Sequence, residues 1–482
     1  MNSTAHKKVL IRLLTTFAAL LIIVQVFFIL KDSNWTLVSD DFDFLIHFAS
    51  GIPFLPSENL FSGRFTPLAF LEYNIFIPLE LGDNPLAFYA WISLKYIVAL
   101  LFFFLIQREV CNLTQLSVLS KELKLIFVSA STITFLLLPG FFVVFLDVVY
   151  YENTSIPISL IFIYTAVSIF KKASVPKIMF LLVLFNMMLY LKETYFIFFL
   201  PFVLMGVFSN SIKANPVARK LILASFISLA FYSILYVCLV YIKTDVFYFE
   251  KRNLGFITGV VWLIFLNPIL VTTLVFLCIM VTLNTNNLFV TPLVTGSAMS
   301  VCLFFLISGT YPISYQLSIV YPFVFFTVQF EIIALVKQKR PISKFVVPIL
   351  FIFTLSSGFI SLGLSRKHII GRDCHFSILK IINQFRFNSN SLTYIYRGGN
   401  WQFSKLRLGI AMDFIDNGEA SLQSTKSIEE IDSLSEIIDS RNAILFFPDN
   451  ERQPLSDFES HEIDTMIEIA GFEYNAIVLK KN

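Results

Sequence analysis

The sequence predicts a polytopic α-helical membrane protein that ends in a small α/β domain. Of its 482 residues 56% are hydrophobic, and the mean hydropathy of +0.76 is far above that of soluble domains. Charge is also unevenly distributed, because residues after Leu364 carry 17 of the 33 acidic side chains. We therefore predict a transmembrane domain over residues 1–364 and an extracytoplasmic α/β domain over residues 365–482.

Apolar segments of membrane-spanning length predict about eleven transmembrane helices. Their approximate bounds are 9–30, 85–106, 125–146, 155–170, 178–191, 194–208, 221–242, 254–282, 288–308, 317–336 and 345–364. The first segment is about 22 residues long and precedes no small-residue cleavage site, so we interpret it as a helix rather than a signal peptide. The short segments 178–191 and 194–208 predict a reversal of the chain at Lys192-Glu193.

Basic residues in the loops predict the orientation of the helices. With the N-terminus in the cytoplasm, the cytoplasmic loops hold 16 basic residues and two acidic ones, and the opposite loops hold six basic and 13 acidic ones before the tail. The segment Phe65–Leu81 is predicted as an interfacial helix in the first outer loop, residues 31–84. If it crossed the membrane, every later basic loop would face outward.

The tail and the cysteines give further information on the C-terminal domain and on possible disulfide or metal sites. Strands are predicted at 392–396, 443–447 and 474–479, and amphipathic helices near 427–440 and 456–470. The tail is interpreted as a cap or an acceptor-binding domain, with a purely structural tail as the alternative. Five scattered cysteines without metal-ligand spacing indicate neither a disulfide framework nor a zinc site. No nucleic-acid partner is predicted.

Three carboxylates follow the first predicted helix closely. Asp40, Asp41 and Asp43 lie within one six-residue stretch. Neighbouring carboxylates repel, which raises the pKa of one of them and makes it a usable general base. Asp41 is the first candidate base, Asp40 the second, and Asp43 is assigned to substrate binding. The alternative is a solvated loop that helps to set the topology.

Two cations in outer loops are candidates for binding a phosphate. Arg64 carries a planar set of donors that matches phosphate geometry, although an interfacial arginine that reaches lipid headgroups is the alternative. Lys192 is assigned to a donor phosphate, and Glu193 to orienting it or to binding the acceptor. A salt bridge inside the helical bundle is the alternative for this pair.

A polar and aromatic group at a predicted outer helix end is a candidate sugar site. Asp147 and Glu152 are predicted to bind sugar hydroxyls while Tyr151 stacks on the ring, with an aromatic membrane-interface belt as the alternative. Lys95 lies inside the second predicted helix, where it requires a partner that the sequence does not name. No metal ligand set is assigned, and a site formed by His47 and the nearby aspartates is the alternative.

This arrangement resembles the GT-C superfamily of polyprenyl-phosphate-dependent glycosyltransferases, in particular bacterial members that modify surface glycans such as the O-antigen of lipopolysaccharide. The resemblance is carried by the helix number, the outer C-terminal domain and three motifs: Asp40-Asp41, Gly63-Arg64 and Lys192-Glu193. It implies a multi-pass protein of the bacterial inner membrane with a periplasmic C-terminal domain.

The resemblance also implies a reaction. A sugar on a polyprenyl phosphate is transferred, with inversion, to a glycan, lipid or protein acceptor at the outer face. Asp41 or Asp40 acts as the base, and Arg64 and Lys192 act on the phosphate. Metal use varies within the superfamily, so the resemblance leaves a divalent metal open and implies no certain cofactor.

Other functions predict other patterns. A lipid-linked sugar flippase or transporter would place charges along a path across the whole bilayer and would favour internal repeats. A glycan polymerase or ligase would rely on outer arginines and histidines away from the first loop. A membrane scaffold would depend on no outer charged residue.

Overall fold

The computed structural model describes part of the chain in two compact units. It covers residues 3–31, 33, 47–48, 51–56, 65–82, 84–113, 121–138, 140–148, 150–208, 216–242, 271, 275, 319–337, 356–366, 369, 392–396, 428–431, 443–448, 461–467 and 474–481. The first unit comprises Met1–Ile29, Leu55–Glu72 and Trp91–Ser365, and the second comprises Leu30–Phe54, Tyr73–Ala90 and Arg366–Asn482.

The described helices coincide with predicted apolar segments. They are α1 (Ser3–Lys31), α2 (Pro85–Leu113), α3 (Lys121–Leu136), α4 (Glu152–Lys171), α5 (Val175–Leu191), α6 (Thr194–Phe208), α7 (Pro216–Tyr236) and α8 (Tyr321–Lys337). A π-helical turn, Val237–Tyr241, follows α7, and residues 356–366 are also helical. The predicted segments 254–282 and 288–308 lie almost entirely outside the described residues, so eleven helices remain a prediction.

This is a helical membrane protein. Among the described residues, three helical stretches are long and apolar enough to cross a bilayer, namely Lys8–Lys31, Pro85–Asn112 and Pro216–Val240. Apolar side chains on α1 remain exposed, such as Leu13 at 64% and Ile23 at 63%, as expected for a surface in contact with lipid. In α2, by contrast, Ile92 and Tyr96 are fully buried, so this part of the helix contributes to the core of the first unit.

Helices α4 and α5 run antiparallel, and the chain reverses again before α6. Ser159 Oγ lies 3.6 Å from Met188 Sδ, while Ser168 Oγ accepts a hydrogen bond of 2.6 Å from Lys177 Nζ at the other end of the pair. After α5, the rings of Phe185 and Phe199 pack with centroids 4.9 Å apart across the Lys192-Glu193 break. This contact confirms the predicted reversal.

The third predicted span is shorter than expected. Helix α3 ends at Leu136, and a 3₁₀ turn, Val143–Phe145, replaces the predicted helix up to residue 146. Pro139 opposes helix continuation, and Gly140 adopts φ +77°, a conformation that glycine reaches without strain. The sequence contained this stop signal, but the apolar composition obscured it.

The predicted interfacial helix over Phe65–Leu81 is wrong in its form. The described residues 65–82 form turns around a short 3₁₀ helix, Leu71–Phe76. Phe65 and Ala69 are 4% and 2% exposed. Phe65 and Ala69 thus pack inside protein, whereas Ile75 and Leu79 are 51% and 56% exposed, and the placement of the segment in an outer loop stays a prediction.

The described part of the tail is a mixed sheet of five strands. They are β1 (Leu392–Tyr396), β2 (Ile428–Ile431), β3 (Ala443–Pro448), β4 (His461–Ile467) and β5 (Tyr474–Lys481), in the order β2-β1-β3-β5-β4. β1 pairs in parallel with β2 and β3, while β5 pairs antiparallel with β3 and β4. The predicted strands coincide with β1, β3 and β5 and are confirmed.

The two helices predicted near 427–440 and 456–470 are contradicted where the structure describes them. β2 lies in the first stretch and β4 in the second. In β4 the β-branched residues Ile463, Thr465 and Ile467 alternate, which fits a strand, and antiparallel pairing with β5 provides hydrogen-bond partners along one side of its backbone. Parallel strands need long crossover connections. Those connections lie outside the described residues, so the α/β class of the tail remains a prediction.

Candidate functional site

The structure describes five of the nine predicted site residues, all in the first unit. They are Asp147, Tyr151, Glu152, Lys192 and Glu193. The other four, Asp40, Asp41, Asp43 and Arg64, lie outside the described residues. The candidate site is therefore built from the first turn of α4 and the residues that pack on it.

Glu152, the first residue of α4, forms an ion pair with Lys192. The Glu152 Oε1 atom contacts Lys192 Nζ, and the side chains are only 2% and 6% exposed. Glu152 lies where the partial positive charge of a helix N-terminus favours a carboxylate. Lys192 is the extended residue that ends α5, with φ −156° and ψ 128°. The reversal after α5 thus brings its ammonium to the start of α4.

Tyr151 covers this ion pair. Lys192 Nζ lies 4.8 Å from the centroid of the Tyr151 ring, a cation–π distance. The Tyr151 ring also packs edge-on against the Phe70 ring, with centroids 5.3 Å apart. Phe70 has φ +66°, an unusual value for a bulky side chain. Such strain persists only where the surroundings fix the backbone, and it is frequent at functional sites.

A second ion pair, between Lys95 and Glu72, lies against the next two residues of α4. Lys95 Nζ donates to Glu72 Oε1, Asn153 Oδ1 and Thr154 Oγ1, each at 2.8 Å. These are the partners of Lys95 that the sequence did not name. Three consecutive residues of α4, beginning with Glu152, therefore hold two lysines that are almost a hundred positions apart.

Burial sets the energetics of both pairs. A charge removed from water costs several kcal/mol unless a partner compensates it. Burial alone would raise the pKa of Glu72, but the charge and hydrogen bond of Lys95 hold it below its ordinary value of 4.5. Glu72 is therefore ionised at neutral pH, as the pair requires.

The segment that follows Gly63-Arg64 in the chain is anchored beside these pairs. The Tyr232 hydroxyl donates to the Phe65 carbonyl at 3.0 Å, and the Leu68 N–H donates to the Tyr190 carbonyl at 3.1 Å. The Phe65 ring also packs against the rings of Tyr190 and Tyr232 at 5.9 and 5.3 Å. The residues directly after the arginine motif are thus held against α5 and α7.

The two remaining candidates lie at the edges of this cluster. Asp147 is 6% exposed, and its backbone carbonyl accepts a hydrogen bond of 3.3 Å from Asn153 Nδ2. Glu193 is half-buried and lies close enough to Tyr232 and Tyr236 to interact with them electrostatically. Both acids therefore belong to the same end of the bundle as Glu152.

The described residues offer charges rather than metal ligands. Within them, no group of three or more His, Cys, Asp or Glu side chains could hold a metal ion. The His47 ring packs against Phe54 with centroids 5.0 Å apart. The predicted aspartates near His47 lie outside the described residues.

Sequence reasoning did not identify Glu72, Asn153 and Thr154 as the partners of Lys95. A signal for Glu72 was available, because an acid in an apolar segment and a lysine within an apolar helix each require a partner. Asn153 and Thr154 had no comparable signal, since polar residues are ordinary in the first turn of a helix. Their contact with Lys95 depends on how α2 and α4 pack.

Comparisons with known proteins give no family. No protein-family model matches the chain, and no curated protein sequence matches it either. The fold and the site define a helical membrane protein in which two buried lysines each meet a carboxylate beside the first turn of α4.

Proposed function

We propose that this protein is a membrane glycosyltransferase that moves a sugar from a polyprenyl phosphate to a glycan, lipid or protein acceptor. The observation that carries the proposal is convergence within the described residues. Lys192, Glu152 and Tyr151 meet at one end of the helical bundle, and Phe65, the residue after Arg64, is anchored at the same end. The loop charges favour the extracytoplasmic side for this end.

In the proposed reaction, Asp41 or Asp40 accepts the proton of an acceptor hydroxyl. The hydroxyl oxygen forms a bond to the anomeric carbon from the face opposite the phosphate. The bond from that carbon to the phosphate oxygen breaks, and the phosphate keeps the electron pair. The configuration of the sugar is inverted, and the increase in negative charge falls on the phosphate.

Lys192 and Arg64 are the groups proposed to stabilise that charge. Fixed cations in a water-poor site stabilise a developing anion more strongly than they would in water. Lys192 has three N–H donors. In the proposal, a phosphate oxygen competes with the Glu152 carboxylate for the Lys192 ammonium. Asp43, Asp147, Tyr151, Glu152 and Glu193 are proposed to bind substrate, and no divalent metal is assigned.

The location of the Glu72–Lys95 and Glu152–Lys192 pairs around one helix turn supports this reaction over transport. Both ion pairs depend on the first turn of α4, and Lys95 lies only about 15 Å from the start of α2. A transporter would be expected to continue such charges through the bilayer. We propose the bacterial inner membrane as the location, with eleven helices and a periplasmic α/β domain.

Replacement of the candidate bases tests the proposal. Asp41→Asn, Asp40→Asn and the double variant are expressed in the native host, and the surface glycan is quantified by mass spectrometry. Loss of a general base lowers the rate by about 100-fold or more. We therefore expect at least one single variant, and the double variant, to lack a glycan residue that the wild type carries.

Glu122→Gln is the matched control, because it removes one carboxylate at the opposite end of the bundle. It should leave the glycan unchanged. Membrane levels of all variants are compared by immunoblot. An unchanged glycan in the double variant, at normal protein level, would contradict the assigned base.

A further inference from the structure

A groove at the end of the bundle opposite Glu152 and Lys192 has the composition of a lipid site. Its volume is about 370 Å³, and α2, α4 and α5 line it. Phe102, Ile161, Tyr164 and Phe180 form its apolar walls, while Ser168 and Lys177 lie at one end. From Ile161 to Ser168 the groove follows about 10 Å of α4, so one end is apolar and the other is cationic.

The charge of Lys177 is not matched by protein within the described residues. Its ammonium donates to Ser168 Oγ at 2.6 Å and more weakly to the Lys172 carbonyl at 3.4 Å, and both acceptors are neutral. The neighbouring Lys172 is exposed. This situation is the reverse of Lys192 and Lys95, which each have a carboxylate partner.

The apolar walls lie on a surface that faces lipid. Phe180 is 48% exposed, and its α5 neighbours Met179 and Val183 are 58% and 52% exposed. In a membrane-spanning bundle, such side chains contact acyl chains. Phe102 and Tyr164, which both line the groove, pack against each other with ring centroids 5.6 Å apart.

We propose that this groove binds one anionic phospholipid, with an acyl chain along Phe180 and Ile161 and the phosphate at Lys177. Charge complementarity selects this occupant. Basic pockets between transmembrane helices bind anionic headgroups, and each lysine near the headgroup layer contributes about 1 kcal/mol, or about fivefold in affinity. The groove is separate from the proposed sugar-transfer site, so the two proposals can fail independently.

Lipid titration of the purified, delipidated full chain tests this site. Phosphatidylglycerol and phosphatidylcholine with the same acyl chains are added in detergent, and bound lipid is counted by native mass spectrometry. We expect phosphatidylglycerol to bind at least about fivefold more tightly. Equal affinities for the two lipids would overturn the proposal.

Variants separate the headgroup from the chain. Lys177→Gln should weaken phosphatidylglycerol binding about fivefold, and Lys177→Arg should retain it. Ile161→Trp fills the groove and should weaken both lipids equally. Lys220→Gln removes the same charge from an exposed position outside the groove lining, and we expect a change below twofold. Wild-type binding by both Lys177→Gln and Ile161→Trp would also overturn the site.

Discussion

The two ends of the helical bundle differ in how far their cations are buried and paired with carboxylates. At the ion-pair end, defined by Glu72, Lys95, Glu152 and Lys192, both lysines are buried and each contacts a carboxylate. At the basic end, the cations are exposed or half-exposed: Arg108, Lys121, Lys124, Lys172, Lys177, Arg219 and Lys220. The two lysines of the ion-pair end are therefore enclosed by protein, whereas these cations of the basic end are in contact with solvent.

This difference shows that exposed charges in loops and buried charges in the candidate site carry different information. Exposed lysines and arginines at the basic end are sufficient to predict orientation, and they need no partner in the fold. The two lysines of the ion-pair end are too few to change the count of basic residues in the loops on the two sides of the membrane. Their burial makes them informative, because a buried charge persists only where the fold supplies a counter-charge.

The largest effect is expected from removing one partner of the most buried pair. Glu152→Gln leaves the ammonium of Lys192 buried without its carboxylate, and we expect a loss of about 3–5 kcal/mol in the free energy of unfolding. Unfolding in mixed micelles followed by circular dichroism measures it. The double variant Glu152→Gln, Lys192→Met should recover most of the loss. A single variant as stable as the wild type would remove the energetic basis of the comparison.

A smaller loss is expected at the second pair. Lys95→Met deprives Glu72 of its counter-charge, and we expect a cost of about 2–3 kcal/mol. Glu72 is 20% exposed, so water relieves part of the penalty. The same unfolding assay applies. A cost larger than that of Glu152→Gln would reverse the ranking of the two pairs.

Acidification should weaken the Glu72–Lys95 ion pair. The pKa of Glu72 is held below its ordinary value of 4.5, chiefly by Lys95 acting against the effect of burial. Its contribution to stability is therefore complete above about pH 5 and is lost as the pH falls through the lowered pKa. The stability difference between wild type and Glu72→Gln should be constant above pH 5 and shrink below 4.5. A difference that grows on acidification would contradict the sign.

Loss of one hydrogen bond at the ion-pair end should cost less again. Tyr232→Phe removes the donor to the Phe65 carbonyl, and we expect about 1 kcal/mol. Ser233→Ala, the neighbouring position, removes only a bond to Leu229 within the same helix and is the control. If the two variants unfold alike, the anchoring of the segment after Gly63-Arg64 does not depend on Tyr232.

The smallest effect is expected at the basic end. The Arg108 side chain is 64% exposed, and its nitrogen lies 3.7 Å from Glu109 Oε1. The contact is long and Arg108 is exposed, although Glu109 is only 12% exposed, so Arg108→Gln should change the free energy of unfolding by less than about 0.5 kcal/mol. A loss comparable to that of Lys95→Met would show that cations at both ends are structural.

Part of this organisation was predictable because it is local. The bounds of α6 match the predicted segment, since an apolar run between polar residues is enough to specify a membrane helix. The strands β1, β3 and β5 were also predictable from their apolar and β-branched residues. β2 and β4 were predicted as helices because their acidic pattern suits an exposed helix. Pairing with neighbouring strands decided otherwise.

The candidate site shows the same limit. The sequence indicated that Tyr151, Glu152 and Lys192 share one side of the membrane, but it left open whether Lys192 meets a carboxylate or remains available to a ligand. The structure pairs it with Glu152. The location of Asp40, Asp41, Asp43 and Arg64 relative to this pair remains a prediction, because these residues lie outside the described part of the chain.

By itself, the sequence determined that this is a helical membrane protein and which helix ends carry charge. Hydropathy and loop composition depend only on residue type and order. Tertiary structure alone decided that Lys95 is matched with Glu72 and Thr154, and that β2 and β4 are strands. Those outcomes depend on which distant groups become neighbours. A buried ammonium needs a nearby counter-charge, and the backbone N–H and C=O groups of a strand need a neighbouring strand as hydrogen-bond partner.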